Sequence, residues 1–319
     1  MVELRDRALL PKVLLAFACI YFLWGSTFLA IRFAIAHIPP VLMCGLRLFS
    51  AGLILLTIAR ATGQRWPQGR EWWNALAVGL MLPTFGNAGV TVSETHVPSG
   101  IVALLLGTIP LWTAVLAATG SRPVRPGPRA VLGLLLGFAG IGLLIGPGLA
   151  DARRAEFSPL WALLPLAGSV SWAWGSLWSR RVRMPGSPLV STAIGLTGGG
   201  FLLLVLSGAM GEWPHFAPAA VPASSWLALA YLSVFGSVVG FTAYLYLLKH
   251  VPPAIVATYA FVNPIVAMAL GFVFGHEVLS PRTLIAAAFV VVAVALITTA
   301  RVVAPAAATG ALSAVVREP

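Results

Sequence analysis

The tripeptide Trp24-Gly25-Ser26 recurs as Trp174-Gly175-Ser176, and Gly45-Leu46 recurs at the same spacing of 150 residues as Gly195-Leu196. Further along, Trp73 and Ala75-Leu76-Ala77 match Trp226 and Ala228-Leu229-Ala230 at a spacing of 153. Val97-Pro98, Ile101-Val102-Ala103 and Pro110 then match Val251-Pro252, Ile255-Val256-Ala257 and Pro264 at 154. Each match alone is weak in so apolar a chain. Their shared order and nearly constant spacing mark a duplicated unit, the drift being taken up by a longer loop around 209–223.

The solvent of this unit follows from composition. Of 319 residues, 59% are hydrophobic and 9% charged, against roughly 45–50% and about 25% in soluble domains. Twenty Lys+Arg and nine Asp+Glu are too few to cover a core of this size in water, so lipid is the expected surroundings. The net charge of +11 does not point to nucleic acid, because the basic residues form short clusters between apolar runs rather than a surface that could track phosphates. Cys19 and Cys44 both lie inside apolar runs, which argues against a disulfide framework.

A bilayer core about 30 Å thick takes ~20 mostly apolar helical residues to cross. Ten runs meet that length: 13–36, 40–59, 73–92, 98–118, 130–147, 159–179, 189–208, 224–248, 253–274 and 283–301. The run at 189–208 is the poorest helix former, because Gly195 and Gly198 to Gly200 fall within it. The first run follows Arg5, Arg7 and Lys12 but is too long for a signal-peptide core and lacks an obvious cleavage site, so it is read as a mature helix. Two units of five passes, 13–147 and 159–301, account for the chain up to a small-residue tail at 302–319, expected to be cytoplasmic and disordered.

Basic residues test this count, since Lys and Arg favour cytoplasmic loops. Ten passes put fifteen of the 20 on the face that carries both chain ends. Arg153, Arg154 and Arg282 fall on the other, and Arg32 and Arg47 stay within spans. Both termini are therefore expected in the cytoplasm. Five passes per unit is an odd number, so the second copy enters from the opposite side, and two inverted copies can exchange conformations around a site near the midplane.

Leu23-Trp24-Gly25-Ser26-Thr27-Phe28, followed by Ile38-Pro39-Pro40 and Gly45-Leu46-Arg47, resembles the opening of an EamA domain, the five-helix repeat of the drug/metabolite transporter superfamily. Val97-Pro98-Ser99-Gly100 with Pro110, and Tyr259-Ala260-Phe261-Val262-Asn263-Pro264 followed by Gly275-His276-Glu277, resemble its later signatures. The stretch from Gly86-Asn87 to Ser93-Glu94 is most similar to the YedA-type inner-membrane exporters. The resemblance covers about residues 13–301 and implies an all-α, ten-helix carrier of the bacterial inner membrane that moves small metabolites or drugs, most often outward. One departure is that the Gly-Glu pair kept as Gly275 and Glu277 is replaced in the first copy by Gly120-Ser121-Arg122-Pro123. A loop or packing role is expected for Glu277.

Candidate solute contacts are the polar groups at membrane depth. Arg47 lies about 10 Å along its helix from Pro40, too deep to snorkel comfortably. It serves either as counter-charge to an anionic solute or as a structural Arg bound to helix carbonyls or Glu94, and Thr197 occupies its place in the second copy. Arg32 sits nearer a helix end and is expected to snorkel. Asn87, Thr91, Thr108, Ser237, Tyr259 and Asn263 either tie helices together or face solute, and Asn263 precedes Pro264, where a broken helix can shape a cavity. Trp24, Trp112, Trp172, Trp174 and Tyr244 offer an aromatic lining or interfacial anchors. No Asp or Glu lies mid-span. Glu94, with His96 two residues on, is the proton-coupling candidate, the alternative being an exposed turn.

No catalytic constellation, metal-ligand pairing, P-loop or dinucleotide fingerprint occurs, so no enzyme activity, metal or cofactor is expected. The expected partners are the lipid bilayer and a small-molecule substrate, without nucleic acid. Gly133/Gly137 and Gly142/Gly146 are small-xxx-small pairs that suit either an internal neighbour or a homodimer seam. Secondary export by alternating access is the leading expectation, with a passive channel or facilitator for small solutes as the alternative.

Overall fold

The structure, a computed structural model, describes residues 9–119, 126–150, 156–251 and 253–299; the expected tail at 302–319 and the stretch 120–123 lie outside them. Among the described residues all regular structure is helical. The first half comprises α1 (Leu9–Ile35), α2 (Pro40–Ala61), α3 (Arg70–Gly79), α4 (Phe85–Ser93), α5 (Ser99–Leu106), α6 (Ile109–Thr119) and α7 (Pro128–Ala150). The second comprises α8 (Pro159–Ser179), α9 (Pro188–Ala209), α10 (Ala223–Tyr231), α11 (Gly240–His250), α12 (Pro253–Val256), α13 (Tyr259–Gly275) and α14 (Pro281–Thr299).

Eight of the described helical stretches are long and apolar enough to cross a membrane, with Tyr259–Gly275 a shorter apolar helix. The 21-residue α8 has a comparable reach of about 31 Å at 1.5 Å per residue. Two runs expected as single helices are broken. A turn at Gly107 and Thr108 separates α5 from α6, and one at Ala257 and Thr258 separates α12 from α13. In each half the preceding pass also changes winding, through π-helical turns at Leu80–Thr84 and Leu232–Val239. Irregularities at matching places in the two halves repeat the duplication first read in the tryptophan motifs.

The halves interlock rather than sit side by side. α2 packs on α9 and α7 on α14, each helix against its own counterpart, while α1 packs on α10, α11 and α13 and α8 packs reciprocally on α4, α5 and α6. The glycine-rich run is continuous helix from Pro188 to Ala209. Its glycines lower helix propensity but admit close neighbours: a Cβ on Gly195 would lie 2.7 Å from the Cα of Gly79, so the two backbones touch where α9 crosses α3. Tertiary contact outweighs propensity here.

Loops gather at two faces. On one, which carries Arg60, Arg180 and Lys249 and is called the basic face below, Arg183 pairs with Glu71 at 2.8 Å and Ser187 donates to Gln64 at 2.8 Å. On the opposite face the Glu212 carboxylate accepts the N–H groups of Val41 and Leu42 at 3.2 and 2.8 Å, closing the start of α2. There α13 ends at His276, whose φ of 52° is left-handed, and the turn returns the Glu277 N–H to the carbonyl of Gly271 at 3.0 Å. Gly133 and Gly137 are used internally, against Ala293 of α14, whereas nothing approaches Gly142 or Gly146.

Candidate functional site

A cavity of about 90 Å³ lies where α1, α2, α4, α6, α8, α11 and α13 converge. Trp24 is its hub. The indole Nε1–H donates to the carbonyl of Gly236, 3.0 Å away in the π-helical turn. The rings of Tyr259, Tyr244 and Phe241 lie 5.0, 5.4 and 5.6 Å from Trp24, between centroids. Phe28 and Trp172 complete an aromatic wall.

Polar groups interrupt this wall at three points. Arg47 is 4% exposed; its Nε donates to Ser237 Oγ at 3.2 Å, and its Nη1 is buried with no hydrogen-bond partner. Asn87 donates to the carbonyl of Pro83 at 2.6 Å, which leaves its own amide oxygen free toward the cavity it lines. Asn263, with its amide nitrogen turned toward α1, reaches the carbonyls of Tyr21 and Ile20 at 3.2 and 3.3 Å. Beside it the Tyr21 hydroxyl meets Thr258 Oγ1 at 2.5 Å, bracing the break between α12 and α13.

Of the residues singled out in the sequence, Trp24, Arg47, Asn87, Tyr259 and Asn263 line this cavity. Ser237 is one bond behind it, holding Arg47. Thr108 is fully buried at the other helix break, donating to the Leu105 carbonyl at 2.6 Å and accepting from Trp112 Nε1 at 3.2 Å. Thr91 is buried with its hydroxyl beside the Cys44 thiol. Trp172 faces the cavity, whereas Trp174 is 60% exposed on the outside of α8 and Trp112 packs on Phe138. Phe28, Phe241 and Gly236 were not singled out, because nothing in the local pattern separates a cavity-facing apolar residue from a lipid-facing one.

A second cavity, of about 180 Å³, adjoins the first and shares Trp172 and Phe241 with it. Its other walls include Ala75, Ser176, Ser191 and Leu245, all within about two turns of the basic-face ends of their helices. Toward the opposite face, α1, α5 and the end of α13 are tied together beside an open depression bordered by Arg32 and Glu94. Arg32 pairs with Glu277 at 2.7 Å, and the same carboxylate accepts the N–H groups of Ser99 and Gly100 at 2.8 and 3.1 Å. Arg32 thus has an acidic partner where snorkelling alone was expected, and Glu277 has a packing role at the start of α5.

Glu94 is buried at the end of α4, with neither carboxylate oxygen hydrogen-bonded. Burial pushes its carboxyl well above the ordinary value of 4.5; Glu277 adds to the push, and Arg32 and Arg47 oppose it. The bland expectation of an exposed turn therefore fits Thr95 and His96 but not Glu94. The His96 ring stacks on Trp161 at 4.4 Å and meets Thr95 Oγ1 through Nδ1 at 2.6 Å, outside the central cavity. Among the described residues no cluster of three His, Cys, Asp or Glu is placed to hold a metal ion.

Comparison with known proteins adds the lineage. The model of the EamA-like transporter family matches twice, over residues 11–146 and 159–299. The chain is 37% identical to the inner membrane transporter YedA of Escherichia coli strain K12, with 95% of each chain covered. It is 26% identical to the transporter YvbV of Bacillus subtilis, covering 94% of this chain and 97% of that one. A crystal structure 23% identical in sequence superposes with a TM-score of 0.59 over 90% of this chain and 97% of its own, which supports the fold. With both halves matched, this multi-pass membrane protein belongs to the EamA-like transporter family.

Proposed function

We propose that the chain is a secondary active transporter that exports small metabolites or drugs across the bacterial inner membrane by alternating access. In this reading two inverted five-helix halves make ten passes, with both termini in the cytoplasm. The observation that carries it is a cavity shared by both halves and adjoined on the basic-face side by a second cavity, with Arg32, Glu277 and the start of α5 tied together toward the other face. Such an arrangement corresponds to one of the two end states that a carrier visits, and the helix breaks on both sides are where an unwound backbone can flex. Trp24, Arg47, Asn87, Tyr259 and Asn263 contact solute, and Ser237 and Thr108 hold the contacting groups in place. Thr91, buried beside Cys44, joins the solute contacts in the other end state. Glu94, buried with neither carboxylate oxygen hydrogen-bonded, is the proton-coupling group in this reading, with His96 beside it at the exposed end of α4.

Untargeted comparison of metabolites exported with and without the protein identifies the solute, and proteoliposomes loaded with it are expected to show saturable counterflow. Flux that neither saturates nor accelerates when solute is supplied on the far side would identify a passive facilitator instead. Thiol labelling of single cysteines near residues 5 and 315 is expected to place both ends on one face; labelling from opposite faces would overturn the ten-pass topology.

A further inference from the structure

The guanidinium of Arg47 carries five N–H donors, yet its one hydrogen bond is to the neutral hydroxyl of Ser237, and Nη1 is buried without any partner. A cation held inside a membrane helix bundle this way is costly unless a counter-charge joins it. Among the described residues no Asp or Glu lines either the central cavity or the one adjoining it. Glu94 is within electrostatic reach of Arg47, but it borders a depression on the opposite face and has no hydrogen bond to the guanidinium. An anionic group on the solute supplies the direct partner that the buried Nη1 lacks.

On the transport reading given above, we infer that the solute is a small amphipathic monocarboxylate, its carboxylate paired with Arg47 and its apolar body held among Trp24, Tyr259, Phe241 and Trp172. A carboxylate matches the planar fork of a guanidinium through two parallel N–H···O bonds. Among the described residues Arg47 is the one cation lining the space, so a monoanion neutralises it, whereas a phosphate dianion leaves an uncompensated charge out of water. Size gives a second limit. The central cavity, about 90 Å³, is smaller than the roughly 150 Å³ engineered cavity that admits benzene. It takes the head group, and the body extends past Trp172 and Phe241 into the adjoining space of about 180 Å³. The free amide oxygen of Asn87 suits a donor substituent near the carboxylate.

The test uses the full chain in lipid nanodiscs, with intrinsic tryptophan fluorescence, to which Trp24 and Trp172 at the cavity contribute, and thermal stabilisation as readouts. Phenylacetate, 3-phenylpropionate and hexanoate are each compared with their neutral amides, and phenyl phosphate is included. At least one acid is expected to bind saturably and about tenfold or more tighter than its amide. Arg47→Gln is expected to bring acid affinity down to that of the amide, and Arg47→Lys to restore part of it. Equal binding of acid and amide, tighter binding of phenyl phosphate, or no saturable binding of any acid up to about 10 mM would overturn the assignment. The acid–amide comparison needs only the parent protein, so it decides the matter even if Arg47→Gln does not fold. Carboxylate binding without counterflow would sink the transport reading and spare this one; counterflow of a neutral or cationic solute would do the reverse.

Discussion

Arg32 Nη1 and Glu277 Oε1 lie 2.7 Å apart although 245 residues separate them, and the Glu277 carboxylate simultaneously receives two backbone N–H groups at the start of α5. The two members of this pair are not equivalent. The Glu277 side chain is 2% exposed and that of Arg32 42%, so the backbone bonds and not the ion pair hold most of the stabilisation. An anion at a helix N-terminus is also favoured by the helix dipole.

Glu277→Ala is expected to destabilise the protein by about 2–4 kcal/mol, because two buried N–H groups lose their acceptor. Arg32→Ala should cost under about 1 kcal/mol, as exposed pairs do. Denaturant titration of the purified variants checks the ranking. An Arg32→Ala loss as large as that of Glu277→Ala would mean that the ion pair dominates.

Glu94 makes stability depend on pH in the direction opposite to an ordinary salt-bridged acid. Its folded-state carboxyl holds its proton well above 4.5, so between 4.5 and that raised value the folded chain binds more protons than the unfolded one. Stability then falls as pH rises through this window. Glu94→Gln is expected to melt at a higher temperature than the parent in alkaline buffer and at nearly the same temperature below pH 4.5. Identical melting curves across the whole range would show that Glu94 titrates normally.

Close helix crossings give a sharp steric contrast. Gly79→Val places a branched side chain against the backbone of Gly195, and a loss of about 3 kcal/mol or more is expected because backbone cannot move aside as a flexible side chain can. Gly142→Leu meets open space and should leave folding unchanged within about 0.5 kcal/mol. Yield of monodisperse protein after extraction gives a first reading, and unfolding curves the second.

Trp24→Phe keeps the aromatic body but removes the donor to Gly236. A loss of about 1 kcal/mol is expected for the bond, with the Gly236 carbonyl left to find another partner. Phe retains most of the ring packing against Tyr259. A variant as stable as the parent would mean that the π-helical turn does not depend on the indole.

The duplication was legible because motifs such as Trp24-Gly25-Ser26 survive in both halves, and span positions followed from apolar length. The glycine run at 189–208 was misleading in isolation, since its helix is stabilised by α2 and α3, which propensity does not see. Pro264 signalled irregularity near the cavity, but the breaks fall at Gly107–Thr108 and Ala257–Thr258, where packing across the halves decides. Arg47 was recognisable as costly from its depth alone. Its contact with Ser237, and that of Arg32 with Glu277, join positions far apart in sequence that no local pattern connects.

Because α1 packs on α10, α11 and α13, the ribosome finishes the first helix long before these three neighbours exist. At about 5–20 residues per second, the 245 residues between Arg32 and Glu277 take roughly 12–49 s to translate. During that interval the Arg32 head, near the end of α1 and 42% exposed in the finished fold, waits without its carboxylate partner. Assembly of this bundle is therefore a post-insertional event, with the earliest-made segment among the last to be secured.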